Sequence, residues 1–122
     1  MALFFYDSYA VIEYLKDNPH YTSYFEQHTG ILTTLNLLEI YYSALQEAGR
    51  ERADRVFTML YPLVEEPSPE TMKRAMQFRL QYRKRNISYA DCVGYHVALE
   101  KGVKFLTGDN QFKDLPEVEF VK

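Results

Sequence analysis

The stretch KFLTGDNQF, residues 104–112, runs a short apolar segment into a glycine and then an aspartate. Near the other end of the chain, LFFYDSY over residues 3–9 does the same: an apolar run stops at Asp7. Each reads as a buried strand closed by a carboxylate. A turn accounts for either one taken singly, because aspartate and glycine favour turns. Whether the two aspartates meet depends on how the chain between them is folded.

Working outward, residues 2–6 read as a strand and 8–16, SYAVIEYLK, as a helix with Ser8 near its cap. Asn18-Pro19 breaks that helix, and a short helix follows over 20–28. Gly30 leads into ILTT, 31–34, a second β-rich run. Residues 35–47 carry apolar positions at helical spacing through Leu37, Leu38, Tyr41 and Leu45. After Gly49 a further amphipathic helix spans 50–64 through Val56, Phe57, Leu60 and Leu63. Pro67-Ser68-Pro69 marks a turn, with Pro69 suited to a first helical turn, and a helix over about 70–85 follows. There Met72, Met76 and Leu80 share one i, i+4 line, flanked by Ala75, Phe78 and Tyr82. Apolar residues at this period are expected to face a core. Ser88-x-x-Asp91 resembles a capping box and Gly102 stops the last helix. VKFLT, 103–107, and VEFV, 118–121, complete the strands. Repeats, low-complexity tracts and interdomain linkers are absent, so residues 1–122 read as one domain.

Short apolar strands separated by helices imply parallel βαβ units covered on both faces, an α/β architecture. Right-handed crossovers then bring the C-terminal ends of the strands to one edge. In open sheets of this kind the working crevice lies outside that edge. Asp7 and Asp109 both follow strand ends, so they can meet there. Two more acids belong with them. Glu39 lies in the second turn of the helix after the second strand, and Asp91 in the first turn of the helix opened by Ser88.

Four carboxylates in one place cannot stay ionised without a counter-charge, since like charges raise each other's pKa. A ligand set of oxygens alone suits the hard cations Mg²⁺ or Mn²⁺. Such an ion would lower the pKa of a bound water and neutralise the developing charge on a phosphate. Ser8 and Thr107 are placed to donate hydroxyl hydrogen bonds that orient carboxylates or water. Each acid also has a plain reading: Asp91 as a helix-capping acid, Asp109 as a turn residue, Glu39 as a surface helix acid. Asp7 is the hardest to dismiss, because it ends a strongly apolar run without other turn chemistry.

Composition narrows the alternatives. Hydrophobic residues make up 47% and charged residues 25% of the 122 residues, which is globular composition. No apolar run reaches the ~18 residues of a membrane span and none follows a basic flank, so neither a span nor a signal peptide is expected. The single cysteine, Cys92, can form no internal disulfide, and His20, His28 and His96 show no metal-binding spacing. A cytoplasmic protein is the default. The net charge is −3, but its distribution is uneven. Lys73, Arg74, Arg79, Arg83, Lys84 and Arg85 fall in one stretch without an acid, leaving 8 of the 14 basic residues against all 17 acidic ones elsewhere. This basic helix has two readings: a solvated face, or a phosphate track, through Arg79, Arg83, Lys84 and Arg85, feeding nucleic acid to a pocket too acidic to attract it unaided. The tyrosines near the pocket (Tyr6, Tyr9, Tyr41, Tyr42, Tyr89) likewise either cover a helix–sheet boundary with the hydroxyl at water or stack on unpaired bases.

In order and spacing, FFYDSYAVIEYL, TTLNLLEIYY, ISYADCVGYHVALEKG and FLTGDNQF resemble the PIN-domain ribonuclease family, specifically its small toxin branch (VapC-like). The resemblance runs from about residue 3 to 121. It implies a three-layer α/β/α domain with a mainly parallel sheet, acting as a Mg²⁺- or Mn²⁺-dependent endoribonuclease. The family's four acids fall on Asp7, Glu39, Asp91 and Asp109, and its strand-end hydroxyl falls on Thr107. Toxin members of that branch pair with a small antitoxin protein and form homodimers. Tyr9 is bulky where many relatives carry a small residue, and Gly108 stands where a basic one is frequent; both departures bear on substrate contacts. A non-catalytic PIN-like module binding RNA or protein is the alternative in another class, and the presence of all four acids favours the enzyme. A receiver-like phosphorylated domain would need adjacent acids at the first strand, where only Asp7 stands. A flap-type DNA nuclease needs helical insertions for which 122 residues leave no room.

Overall fold

Four short strands, β1 (Leu3–Tyr6), β2 (Thr29–Ile31), β3 (Lys104–Thr107) and β4 (Val118–Phe120), lie in one sheet in the computed structural model, which describes residues 1–122. All neighbours are parallel and the spatial order is β2-β1-β3-β4. Parallel neighbours require long crossovers, and six helices supply them: α1 (Ser8–Leu15), α2 (Thr22–Glu26), α3 (Thr34–Ala48), α4 (Arg50–Leu60), α5 (Pro69–Gln81) and α6 (Tyr89–Lys101). The chain leaves β1 for β2 on one side, then crosses back to β3 on the other. The direction of winding therefore reverses between β1 and β3, the position where such sheets open a crevice.

The sheet is buried on both faces, which explains why its strands read as continuous apolar runs. Successive side chains point to opposite faces. Phe5 and Phe105, partners in register, stack at 5.6 Å on one face. There α6 approaches so closely that a Cβ at Gly94 would lie 2.7 Å from the Phe5 ring. Phe4 and Tyr6 face the other way, where Tyr24 and Phe25 of α2 pack edge-on and stacked, respectively. Helices on both faces make the three-layer α/β/α arrangement. No helix is long and apolar enough to cross a membrane.

Local chemistry moves several boundaries. The second strand occupies Thr29–Ile31, not 31–34, because Thr33 is needed as the N-cap of α3: its hydroxyl accepts from the Asn36 amide while the Asn36 side chain accepts from the Thr33 amide. Leu32 still pairs in parallel with Val64, extending the edge by one bridge. Pro62 ends the fourth helix at Leu60 and leaves a 3-10 turn over Tyr61–Leu63. The basic helix stops at Gln81, so Arg83, Lys84 and Arg85 lie in the turn beyond it.

The apolar stripe of α5 is a correction. Met72, Met76 and Leu80, expected to face a core, are 46%, 39% and 66% exposed. The line that packs is instead Thr71 and Ala75, fully buried, with half-buried Phe78 and Tyr82. Phe78 meets Tyr95 and His96 of α6 at 5.4 and 4.9 Å. Two apolar lines share this helix, and α6 covers only one of them.

Candidate active site

Asp7 follows β1 directly and holds the N-cap position of α1, yet its side chain makes no capping bond. Its amide donates to the Leu106 carbonyl of β3 at 3.1 Å, pinning the residue at the point where winding reverses. The carboxylate is 1% exposed. Oδ2 accepts a 2.7 Å hydrogen bond from the Thr107 hydroxyl, while Oδ1 is buried without any partner. Burial, with Asp91 as the next cause, pushes this carboxyl up to about 8; the Thr107 bond opposes the shift, and Asp109 and Glu39 add to it.

Thr107 also accepts the Asp109 amide, at 3.1 Å, so one hydroxyl orders two of the acids. Asp109 itself caps the 3-10 turn Asn110–Phe112, its Oδ1 accepting from the Gln111 amide at 3.0 Å. Asp91 closes the capping box of α6: its Oδ2 accepts from the Ser88 amide at 2.9 Å and its own amide donates to the Ser88 hydroxyl at 3.1 Å. Burial raises its pKa, against the Ser88 bonds and with help from Asp109. The capping reading of Asp91 is thus correct, and it leaves one carboxylate oxygen for the pocket.

Glu39 stands on the exposed edge of α3, where its Oε1 accepts a 2.6 Å bond from the Ser8 hydroxyl. Desolvation raises its pKa, opposed by that bond and supported by Asp91. Ser8 in turn accepts from Asn36 Nδ2 at 3.0 Å, and Asn36 Oδ1 accepts from the Thr33 amide and hydroxyl at 3.1 and 2.7 Å. This relay ties the start of α3 to the start of α1. Asn36, fully buried, is the residue that sequence reasoning missed. Its signal was present in T-x-x-N, a capping box immediately ahead of the leucine-rich helix.

Asp7, Ser8, Glu39, Asp91 and Asp109 line a single open cleft of about 570 Å³, with Arg79 on its wall. Arg79 Nε donates to the Ile87 carbonyl at 3.1 Å, and its guanidinium lies 4.3 Å from the centre of the Tyr89 ring. The other three predicted phosphate contacts are disposed differently. Arg83 donates to the Leu80 carbonyl at 3.2 Å, closing the end of α5, and Lys84 is exposed. Arg85 makes a two-pronged ion pair with Asp114 at 2.9 and 3.0 Å and also donates to the Gln111 carbonyl. Arg79 alone of the four lines the cleft.

The cleft's chemistry suits a divalent cation. Its acidic donors are oxygens only, and the orphaned Asp7 Oδ1 is an atom that a bound cation would satisfy. As the side chains stand, no three acids gather tightly enough to chelate an ion. The glycine at 108 has a local cause. A Cβ there would collide with the Tyr9 ring and the Val121 carbonyl, so no side chain fits.

Solved structures share this architecture. A toxin–antitoxin complex from Klebsiella pneumoniae matches with a TM-score of 0.76 at 15% identity, covering 98% of this chain and 96% of that one. VapC20 of Mycobacterium tuberculosis, a toxin that cleaves the sarcin–ricin loop, matches with a TM-score of 0.78 at 17% identity over 99% and 100% of the two chains. DNA-bound VapBC from Salmonella typhimurium matches with a TM-score of 0.73 at 18% identity, over 99% and 98%. At these identities the likeness is one of fold. A comparison with curated protein sequences returned no match. The family model of the PIN domain matches residues 4–118, nearly the whole length, and with the acid-lined cleft at the β1/β3 reversal it places this chain in the PIN domain family.

Proposed function

We propose that the chain is a Mg²⁺- or Mn²⁺-dependent endoribonuclease, the toxin of a toxin–antitoxin pair, working as a single domain over residues 1–122 in the cytoplasm. One observation carries the reading: Asp7 is fully buried among three other carboxylates, with one oxygen fixed by Thr107 and the other left without a partner. A fold gains nothing from such a group, since an unpaired buried carboxylate is destabilising. A site for a cation on a phosphodiester substrate does.

Asp7, Asp91, Asp109 and Glu39 would hold the ion. When bound, it supplies a water of lowered pKa and charge neutralisation for the phosphate. The rest is done by the protein. Thr107 fixes Asp7 and the Asp109 backbone relative to each other, and Ser8, held by Asn36, fixes Glu39. Arg79 contributes a positive wall beside the acids, with Arg83, Lys84 and Arg85 further along the phosphate path. The decisive experiment incubates purified, partner-free protein with RNA. Cleavage with Mg²⁺ or Mn²⁺, lost in EDTA and in Asp7→Asn, supports the enzyme. Cutting that is indifferent to EDTA overturns the metal mechanism, and RNA binding without cutting under any metal favours the non-catalytic module.

Two surface features support the partners in this reading. A groove of about 250 Å³ between α1, α3 and α4, walled by Leu15, Ile40, Ala44 and Val56, shares Ile12 with the acid cleft. An amphipathic segment of an antitoxin lying there would deliver an arginine or lysine to the carboxylates. The uncovered Met72–Met76–Leu80 line suits a homodimer contact. Co-expression of the antitoxin should restore growth to cells that the protein alone inhibits. Met76→Glu with Leu80→Glu should shift the sedimentation of the free protein from dimer to monomer.

A further inference from the structure

We infer that Arg79 and Tyr89 together form a nucleotide subsite at the rim of the acid cleft, in which the Tyr89 ring stacks on an unpaired RNA base and the Arg79 guanidinium contacts an adjoining phosphate. The inference rests on the ribonuclease reading and adds to it a substrate class, RNA whose bases are unstacked next to the cleaved bond, and a residue that selects it.

Most tyrosines of this chain are committed to the fold. Tyr6 bonds the Tyr24 carbonyl, Tyr21 the Val121 carbonyl, Tyr24 the Glu119 carboxylate and Tyr95 the Pro116 carbonyl, each covering a layer boundary with its hydroxyl anchored. Tyr9 lines the cleft but is half-buried against Gly108. Tyr89 differs from all of these. It is 60% exposed at the first position of α6, between Ser88, which lines the cleft, and the Ala90–Asp91 turn that supplies an acid. Of the other exposed tyrosines, Tyr61 is stacked on Phe57, and Tyr42, one turn from Glu39 on α3, has no arginine over its ring to make it a platform.

Arg79 converts this exposed ring into a defined platform. Its Nε is tethered to the Ile87 carbonyl and its guanidinium lies 4.3 Å from the Tyr89 centroid, so ring and cation are fixed against each other. A guanidinium held by Nε and a ring face retains its terminal N–H groups for a phosphate, the geometry in which arginine recognises phosphate best. An aromatic ring beside a phosphate contact is the combination that holds single-stranded nucleic acid, since every base offers a π-face irrespective of sequence. A duplex base has both faces covered and its edge turned inward, so it cannot use this platform.

The chain contains no tryptophan, which makes a direct test available. Tyr89→Trp introduces a single tryptophan, whose emission is to be followed in metal-free buffer on titration with a single-stranded RNA oligonucleotide and with the duplex of the same sequence. The single strand should quench the introduced tryptophan and the duplex should not. In parallel, Tyr89→Leu should weaken single-strand binding about tenfold and raise KM with kcat within about twofold, while Tyr89→Phe and the remote control Tyr61→Leu bind like wild type. Equal quenching by both RNAs, absence of quenching, or wild-type affinity in Tyr89→Leu overturns the subsite while leaving metal-dependent cleavage, and with it the enzyme reading, intact. Failure of the wild-type protein to bind or to cleave either RNA when Mg²⁺ or Mn²⁺ is supplied overturns both.

Discussion

The starts of α1 and α6 hold the same kinds of residue and use them in opposite ways. At α6, Ser88 and Asp91 exchange two hydrogen bonds in a complete capping box, so the acid stabilises the helix with one oxygen and faces the cleft with the other. At α1, Asp7 occupies the N-cap position but caps nothing; its side chain turns toward Thr107 and leaves Oδ1 unpartnered in the interior. A capping acid would stabilise α1, so the fold forgoes that gain. The difference teaches which acid is held for chemistry alone and which serves folding as well.

The largest expected effect breaks the comparison at Asp7. Asp7→Asn should lower RNA cleavage by ~10²–10³-fold or more, the scale for removing a preorganised electrostatic group, and should also stabilise the metal-free protein. A rise of about 4 °C in Tm near pH 8 corresponds to about 1 kcal/mol in a domain of this size. Thermal melts of the two proteins in EDTA check this, and a lower Tm for the variant would contradict it.

The same contrast has a pH dependence. The carboxyl of Asp7 is raised from the ordinary carboxylate range, 3.8, to about 8 in the folded state. Between those values the native protein keeps a proton that the unfolded chain has lost. The stability it contributes is therefore fully present below about 4 and is lost as pH rises through about 8. Asp91 and Glu39 are shifted in the same direction. Metal-free protein should accordingly unfold at lower urea at pH 8 than at pH 5, a slope that Asp7→Asn should flatten. Added Mg²⁺ should restore more stability at pH 8 than at pH 5.

At Asp91 the two duties can be separated. Asp91→Asn retains an oxygen able to accept the Ser88 amide, as Asn36 does for Thr33, so stability should hold while the rate at saturating RNA falls by about tenfold or more. Asp91→Ala should lose the rate and also about 1 kcal/mol of stability through the missing box. Equal stability of the two variants would show that the capping bonds contribute nothing.

The smallest effects divide the basic residues. Arg79→Gln should raise KM and reduce the salt slope of RNA binding by about one unit, leaving the saturated rate nearly unchanged. Arg85→Gln should alter the slope less, because its charge is already paired with Asp114. Binding isotherms over a salt series distinguish the two.

Much of this was legible in the residue order. Helix ends written in S-x-x-D and a terminal glycine depend on contacts three or four residues apart, so they can be read locally. The apolar strand runs implied a parallel sheet, and parallel topology obliges Asp7 and Asp109 to share an edge. The placement of Thr107 and Ser8 beside carboxylates followed from the same logic.

What the residue order could not decide depends on partners far along the chain. Periodicity marked Met72, Met76 and Leu80 as one stripe but not that α6 would cover the neighbouring line and leave this one open. A run of basic charge marked a helix and its following turn, yet only the approach of Asp114, 29 residues beyond Arg85, diverts one guanidinium while Ile87 and Tyr89 hold another at the cleft. Above all, an aspartate after a strand is the same letter whether it caps a helix or lies unpaired. The close approach of Thr107, 100 residues away, together with burial from both flanking layers, decides that Asp7 keeps one oxygen unsatisfied. Hydrogen-bond patterns of short range are written in neighbouring residues, whereas desolvation is a property of everything that packs around a group.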